Sequence, residues 1–502
     1  MKRAATFVAV CIAALAGGCA PAFTIVDDPF DIAETTGVPQ ISAVVDAGGG
    51  DVTLSGPLAM EPSDGVAVVG ETLWVRGSSF GRQPTVQVGG RPAAVLGRTR
   101  DGGLVVRVPP GTPAGTQSVT VSNEVGKSEH PIKVRRYAAV LAPGSGQIGW
   151  NELAADGPSA AGATAVPGAR WLALSSDGRA AYVADAAGAA LVVIDLPAPG
   201  TPKVIYQLEL GAGGGPVLAL AAAARAPLLA VVRANDVVLI DTSSPLHPAR
   251  FSPRAFPQAV RDARVVAADV SPDGKLLAVG TELGNQVVML DLGPSGHTPV
   301  ISMLPIASEV RESVLSDLAF APAGDTLWVL SGDTPRSKAV GPEPTDLWAV
   351  QVQSDSQSMA RLTAARQVEA AAAAAPVGLG VGRALPLASG AAIRLPPERN
   401  TVFFAASDRQ SHGTAIFRVG AADEATAALA SPERLGRPDV SPDGRWLLAP
   451  AAAQDGAVRV LPTVIDGRPA PAGAGGPIDA VAAGAGELPP AVRPAPELRI
   501  QP

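Results

Sequence analysis

The feature that most constrains the fold is a short turn that recurs at distant points of the chain. The stretch "VSPDGKLLAVGT" begins at Val270, a near copy "VSPDGRWLLAPA" begins at Val440, and a looser copy "LSSDGRAAYVAD" begins at Leu174. Pro and Asp-Gly favour a tight turn between two strands, because Gly accepts the positive φ that such turns require. An apolar run follows each turn, so the chain repeats one turn-and-strand unit.

Six copies of this unit can be aligned, and their spacing predicts a β-propeller. The intervals between successive turns are 46, 50, 50, 75 and 45 residues, for turns at Asp177, near Ala223, at Asp273, near Ala323, near Glu398 and at Asp443. Periods of 40–50 residues with several strands are typical of propeller blades. Because one blade alone cannot bury both of its faces, the unit has to recur.

We therefore predict an all-β chain with a six- or seven-bladed propeller at residues 137–465. A seventh blade would combine "RRYAAVLAPGSGQIG" with the Pro/Gly/Ala-rich segment 466–502, in which "ELRI" would supply a ring-closing strand. The 75-residue interval contains an insertion at about residues 354–390, which we interpret as an exposed loop. The repeats resemble the YVTN/surface-layer, WD-type and TolB-like propeller families, and this resemblance implies a fold without implying an activity.

Short strands separated by Gly and Pro turns precede the repeats and predict a small antiparallel sandwich. The motifs are, in order, "GSSFG", "VQVGG", "VVRVPPG" and "AGTQSVTVSNEVG". Over about residues 38–136 they resemble the immunoglobulin-like IPT/TIG family, which implies spacer or adhesion-like work. "GSSFG" also matches a hydrolase nucleophile elbow with Ser79 as nucleophile, but that motif requires a following helix, and here a second strand is predicted.

The two cysteines, Cys11 and Cys19, both lie in the first twenty residues. Two cations followed by a short apolar run predict a signal peptide at residues 1–18, too short to span a bilayer. "LAGGC" resembles the bacterial lipoprotein processing box, which implies a lipid on Cys19; ordinary secretory cleavage is the alternative. Residues 19–37 would be a tether. Ala20 lacks the inner-membrane retention signal of many such lipoproteins, which favours the outer membrane.

Neither the composition nor the spacing of the histidines and acidic residues indicates a particular reaction. A net charge of −7 and 4% aromatic residues disfavour nucleic-acid binding. The four histidines lack the spacing of metal ligands, and we predict no cofactor; they are His130, His247, His297 and His412. Three acidic residues near the predicted inner strands would line the central channel or bond to neighbouring backbone: Asp269, Asp317 and Asp439.

The acidic residues of the repeated turns are predicted to be structural, because no calcium-binding pattern surrounds them. These structural turn residues are Asp177, Gly178, Asp273, Gly274, Asp443 and Gly444. We predict a lipid-anchored cell-envelope protein that acts as a binding or scaffold module. Its partners would be the membrane, through the anchor, and an envelope or extracellular protein or glycan. The alternative is a lactonase-like hydrolase or lyase with converging His and carboxylates in the central channel.

Overall fold

A computed structural model describes residues 25–26, 37–46, most of 66–368 and, from residue 393 onwards, the strands named below. Within 66–368 the positions outside the described residues are 100, 142–145, 155–156, 186, 197–201, 284–285, 294–297, 307–312, 322, 334–345 and 355–359. The described chain is all-β apart from one short helix, which confirms the predicted fold class. None of its helices is both long and apolar enough to cross a membrane.

The first ten strands build a two-sheet sandwich. They are β1 Ile25–Val26, β2 Gln40–Asp46, β3 Val66–Val68, β4 Thr72–Ser78, β5 Thr85–Val88, β6 Arg91–Ala93, β7 Val95–Thr99, β8 Leu104–Arg107, β9 Gly115–Ser122 and β10 Lys127–Leu141. One sheet has the order β1-β7-β8-β4-β2, and the other contains β10-β9-β5-β6 with β3 parallel to β10. Inward-facing valines from both sheets, such as Val75, Val88, Val106 and Val119, form the sandwich core.

Two residues of the predicted tether belong to this sandwich. Ile25 and Val26 form β1, which pairs antiparallel with Thr99 and Arg98 of β7. A β-branched pair is suited to this position, since the edge of β7 offers backbone groups that need partners.

The next strands are β11 Gln147–Ala154 and β12 Gly157–Ala165, followed by six blades, of which blades 2 and 6 have five strands and the others four. Blade 1 contains β13 Ala169–Leu174, β14 Ala180–Asp185, β15 Ala190–Asp195 and β16 Lys203–Glu209. Blade 2 contains β17 Val217–Ala222, β18 Leu228–Arg233 and β19 Asp236–Asp241, whose outer edge pairs with both β20 Ala249–Arg250 and β21 Arg254–Ala255. Helix α1, Gln258–Asp262, leads to blade 3, which contains β22 Val265–Val270, β23 Leu276–Thr281, β24 Gln286–Asp291 and β25 Val300–Pro305.

The remaining blades repeat the pattern. Blade 4 contains β26 Ser313–Phe320, β27 Thr326–Asp333, β28 Asp346–Ser354 and β29 Ala360–Val368. Blade 5 contains β30 Ile393–Arg394, β31 Val402–Ser407, β32 Thr414–Val419 and β33 Ala425–Ser431. Blade 6 contains β34 Arg434–Leu435, β35 Asp439–Val440, β36 Trp446–Ala452, β37 Val458–Val464 and β38 Ile478–Val481. Strand β29 lies inside the predicted insertion 354–390. Its sequence, "ARLTAARQV", alternates only weakly between apolar and polar residues, but it pairs with β28.

A seventh blade closes the ring, and the C-terminal strand β39, Glu497–Ile500, is its inner strand. β39 pairs with the second half of β10, which pairs with β11, which pairs with β12. β39 also lies against the inner strand of blade 1 and against blade 6. Blade 7 therefore combines strands from the start and from the end of the propeller sequence in one sheet.

The apolar runs of the repeats are continuous because each blade buries both faces. In β24, Val287 and Met289 pack into the core between blades 3 and 4, whereas Val288 and Leu290 pack into the core between blades 2 and 3. Successive side chains of a strand point to opposite faces of its sheet. A run without polar alternation is therefore what an internal strand of a propeller requires.

One continuous strand connects the two domains. Residues 127–134 of β10 pair with β9 in the sandwich, and residues 136–141 pair with β11 in blade 7. The predicted boundary between residues 136 and 137 thus falls within a strand. Val68 of β3 is buried in the core between blades 7 and 1, next to Tyr137. The joint is therefore built from a shared strand and a shared core.

Removing β39 tests the closure of the ring. Deletion of residues 497–502 leaves β10 without its inner neighbour, and each lost ladder hydrogen bond contributes about 0.5–1.5 kcal/mol. We expect a lower Tm and faster proteolysis of the propeller. Deletion of residues 501–502 alone is the control and should melt like the full chain. Equal melting of both truncated chains would show that β39 does not close the ring.

Candidate binding surface and the repeated turn

The propeller has two faces that differ in their connections. At the turn face, the first strand of each blade turns into the second; blade 3 does so between Val270 and Leu276. At the opposite face, which we call the free face, the second strand joins the third and one blade passes to the next. Helix α1 lies in a free-face connection, between blades 2 and 3.

The turn of blade 3 is held by hydrogen bonds among its own residues. The Ser271 hydroxyl donates to the Asp273 carboxylate over 2.6 Å, and the Lys275 amide donates to the same carboxylate over 3.2 Å. The Ser271 hydroxyl accepts from the Leu276 amide over 2.9 Å. Gly274 has φ of +75°. Partial burial raises the pKa of Asp273, but the bonds from Ser271 and Lys275 and the Lys275 charge outweigh it, so the pKa lies below its usual value.

Blade 1 repeats this network. The Ser175 hydroxyl donates to Asp177 over 2.7 Å, the Arg179 amide donates to Asp177 over 3.1 Å, and Gly178 has φ of +76°. Both aspartates are thus bonded to their own turns. The third predicted copy, at Asp443 and Gly444, lies outside the described residues.

Turns of neighbouring blades pack against one another around the ring. A Cβ on Gly274 would lie 3.0 Å from the Ala226 Cβ in the turn of blade 2, and the Arg225 amide donates to the Pro272 carbonyl over 2.8 Å. Contact between turns therefore adds to the contact between blade faces.

The sandwich docks on the turn of blade 1. Arg107 at the end of β8 forms a salt bridge with Asp177, 3.3 Å between Nη1 and Oδ2, with both side chains largely buried. Gly70 comes so close that a Cβ there would lie 2.7 Å from the Asp177 carbonyl oxygen. On β10, Arg136 is buried and donates to the Thr112 carbonyl. The sandwich therefore occupies the turn face at blades 1 and 7.

At the free face, a buried arginine, Arg233, lies between blades 1 and 2. Arg233 donates through Nε and Nη2 to the carboxylate of Asp236, over 2.7 and 2.8 Å, and through Nη1 to the Gly211 carbonyl over 2.7 Å. A Cβ on Gly214 would lie 2.0 Å from the Arg233 Nε. The glycine run "GAGGG" therefore lets a connecting loop lie directly on the guanidinium, which holds this part of the face in one shape.

Two of the three predicted channel carboxylates accept hydrogen bonds from backbone amides. Asp269 of β22 accepts from the Phe320 amide of the next blade over 2.9 Å. Asp317 of β26 is buried and accepts from the Leu318 amide over 2.9 Å. Asp439 is half-buried on β35. The bond to Asp269 links blade 3 to blade 4, and bonding to neighbouring backbone is one of the two roles that the sequence suggested for these residues.

The other candidate residues do not converge. His130 lies on β10 in the sandwich, and the His247 ring contacts Tyr206 edge-on, 5.9 Å between ring centroids. His297, His412 and Cys19 lie outside the described residues. Ser79 lies between β4 and β5 without a following helix. Within the described part of the chain, no three His, Cys, Asp or Glu side chains are placed to hold a metal ion.

Sequence reasoning missed the residues that join the domains. Arg107 and Gly70 carry no motif, because their partners are defined only by the arrangement of the two domains. Arg233 and Asp236 offered a weak signal: an arginine and an aspartate three residues apart flank a short turn between two apolar strands, in "VVRANDVV".

A comparison with known families matches the first domain. Residues 58–133 match the IPT/TIG domain. A candidate 6-phosphogluconolactonase from Bacteroides fragilis NCTC 9343 is similar in structure, with 15% identity, TM-score 0.46, and coverage of 69% of this chain and 96% of its own. No curated protein matches the chain.

Two further solved structures resemble the chain more weakly. The Swd1 β-propeller domain from Myceliophteria thermophila has 15% identity and TM-score 0.40, with 62% of this chain and 92% of its own covered. An auxiliary nutrient binding protein from Bacteroides thetaiotaomicron VPI-5482 has 13% identity and TM-score 0.35, with 84% and 96% covered.

Two glycines with the same backbone conformation test the packing of the turns. Gly274 and Gly90 have φ of +75° and +77°, but a Cβ on Gly90 meets nothing within 4 Å. Gly90→Ala should cost about 1–2 kcal/mol from left-handed backbone strain. Gly274→Ala should add about 1–3 kcal/mol of overpacking against Ala226. Denaturant unfolding measures both, and equal losses would contradict a role for turn-to-turn contact.

Proposed function

We propose that this protein is a lipid-anchored cell-envelope lipoprotein that acts by binding, with the free face of its propeller as the recognition surface and the IPT/TIG domain as a fixed spacer. The lipid on Cys19 and the outer-membrane location rest on the N-terminal sequence. The partner would be an envelope or extracellular protein or glycan.

The observation that carries this proposal is the position of the IPT/TIG domain. Its contacts with Asp177 and with the core beside Tyr137 cover part of the turn face, at blades 1 and 7, and leave the free face to a partner. The described connection between blades 2 and 3, which contains helix α1, lies at that face. Connections on a rigid scaffold are where proteins commonly carry recognition.

The alternative of a hydrolase or lyase in the central channel has less support. It needs carboxylates that are available to a substrate, yet Asp269 and Asp317 each accept a backbone amide, and Asp269 links two blades by doing so. Binding on the free face requires no such residues.

Blocking one face at a time tests the proposal. Leu283 on the free face and Lys275 on the turn face are both well exposed, at 56% for the Leu283 residue and 79% for the Lys275 side chain. A large polymer attached through Leu283→Cys should abolish capture of envelope partners, whereas the same polymer attached through Lys275→Cys should leave capture unchanged. Loss of capture only with the Lys275→Cys polymer would contradict the proposed surface.

The anchor is tested separately. Cys19→Ser should move the protein from the membrane fraction to the soluble fraction. Unchanged membrane fractionation would contradict lipid attachment at Cys19.

A further inference from the structure

The direction in which the chain enters the IPT/TIG domain is set by strand pairing. β7 runs away from the propeller, because its neighbour β8 runs towards it and ends at Arg107, which contacts Asp177. β1 is antiparallel to β7, and Ile25 pairs with Thr99 at the far end of β7. The chain before Ile25 therefore emerges from the end of the sandwich opposite the propeller, which we call the distal tip.

Only a short length of chain separates the proposed anchor from this tip. Ile25 follows Cys19 by six residues, and an extended chain spans at most about 3.6 Å per residue, or about 22 Å in all. The predicted tether of residues 19–37 would be far longer if none of it paired. With β1 paired to β7, the distal tip stays close to whatever holds Cys19.

The distal tip is an ordered structure centred on Asn123. Its side-chain amide donates to the Gly37 carbonyl over 2.9 Å and to the Ser79 carbonyl over 2.8 Å. Its side-chain oxygen accepts from the amides of Val125 and Gly126 over 2.8 and 2.9 Å. Three separate segments of the chain are thus tied together at this end.

This tip presents apolar and cationic side chains to solvent. Val125 is 59% exposed, the most exposed large hydrophobic residue in the described part of the chain, and Val38 nearby is 48% exposed. Arg82 and Lys127 are exposed around them, and Lys127 forms an exposed salt bridge with Glu129 over 2.9 Å. Asp101, Glu124 and Glu129 are also exposed at this end, so the surface carries both signs of charge.

The two domains also differ in the balance of their charged residues. Residues 38–136 contain ten Arg and Lys against eight Asp and Glu, whereas residues 137–502 contain 27 against 34. An anionic phospholipid surface therefore repels the propeller and attracts the first domain only weakly. Exposed valine side chains can lie against lipid without burying a polar group. Arg and Lys can reach lipid phosphate groups while their aliphatic stems lie on apolar surface.

We propose that the distal tip of the IPT/TIG domain, around Val38 and Val125, rests on the phospholipid surface next to the lipid anchor. This inference depends on the proposed anchor at Cys19. The shared strand β10 then directs the propeller away from the membrane, and its free face is the surface most distant from the bilayer.

The test uses the full-length lipidated protein in vesicles of phosphatidylethanolamine and phosphatidylglycerol that contain nitroxide-labelled lipid. The only cysteines of the chain are Cys11, in the predicted signal peptide, and the acylated Cys19, so Val125→Cys and Leu283→Cys each introduce one free thiol. The two positions have similar exposure, 59% and 56%. A fluorophore at position 125 should lose most of its emission to the quencher, and one at position 283 should keep it.

The outcomes separate the two proposals. Protein absent from the vesicles, without lipid on Cys19, overturns the anchor and this orientation with it. Protein that is bound to the vesicles while neither label is quenched, or while position 283 is quenched as strongly as position 125, overturns the orientation and leaves the anchor standing. Thermal melts of both labelled variants that match the unlabelled chain show that the labels report on the folded protein.

Discussion

The structure depends on the burial of both faces of every blade. A blade of four strands has two apolar faces, and neither can be left in water, so each blade needs a neighbour on both sides. The requirement is met only when the ring closes, and here it closes through β39 pairing with β10. The repeated turn follows from the same constraint, because tight turns allow neighbouring blades to approach, as Gly274 approaches Ala226.

The strand that completes the ring also fixes the first domain. β10 belongs to the sandwich over its first half and to blade 7 over its second half. Arg107 and Gly70 then dock the sandwich on the turn of blade 1. The turn of blade 1 therefore contacts the sandwich as well as its own strands, and this contact adds to the difference between the two faces of the propeller.

Most of the fold could be predicted from the sequence because its determinants are local. The turn at Asp273 and Gly274 and the apolar runs after it depend on neighbouring residues. The ring-closing "ELRI" was recognisable because a propeller needs one more strand. Strand β29 escaped prediction since its alternation is weak, and the pairing of Ile25 with Thr99 and of Arg107 with Asp177 joins residues more than 69 positions apart. The surface that we propose for binding could not be predicted from the sequence, because the proposal depends on which face the first domain contacts.

The two domains share β10, and a distance measurement between spin labels tests most directly whether they form one rigid body. Labels at Gln87 of β5 and Gln207 of β16, both exposed strand positions, would be placed in a chain with Cys11 and Cys19 replaced by Ser. The shared strand predicts a single narrow distribution of distances between the labels. A broad or multiply peaked distribution would show that the domains move independently and would contradict the account.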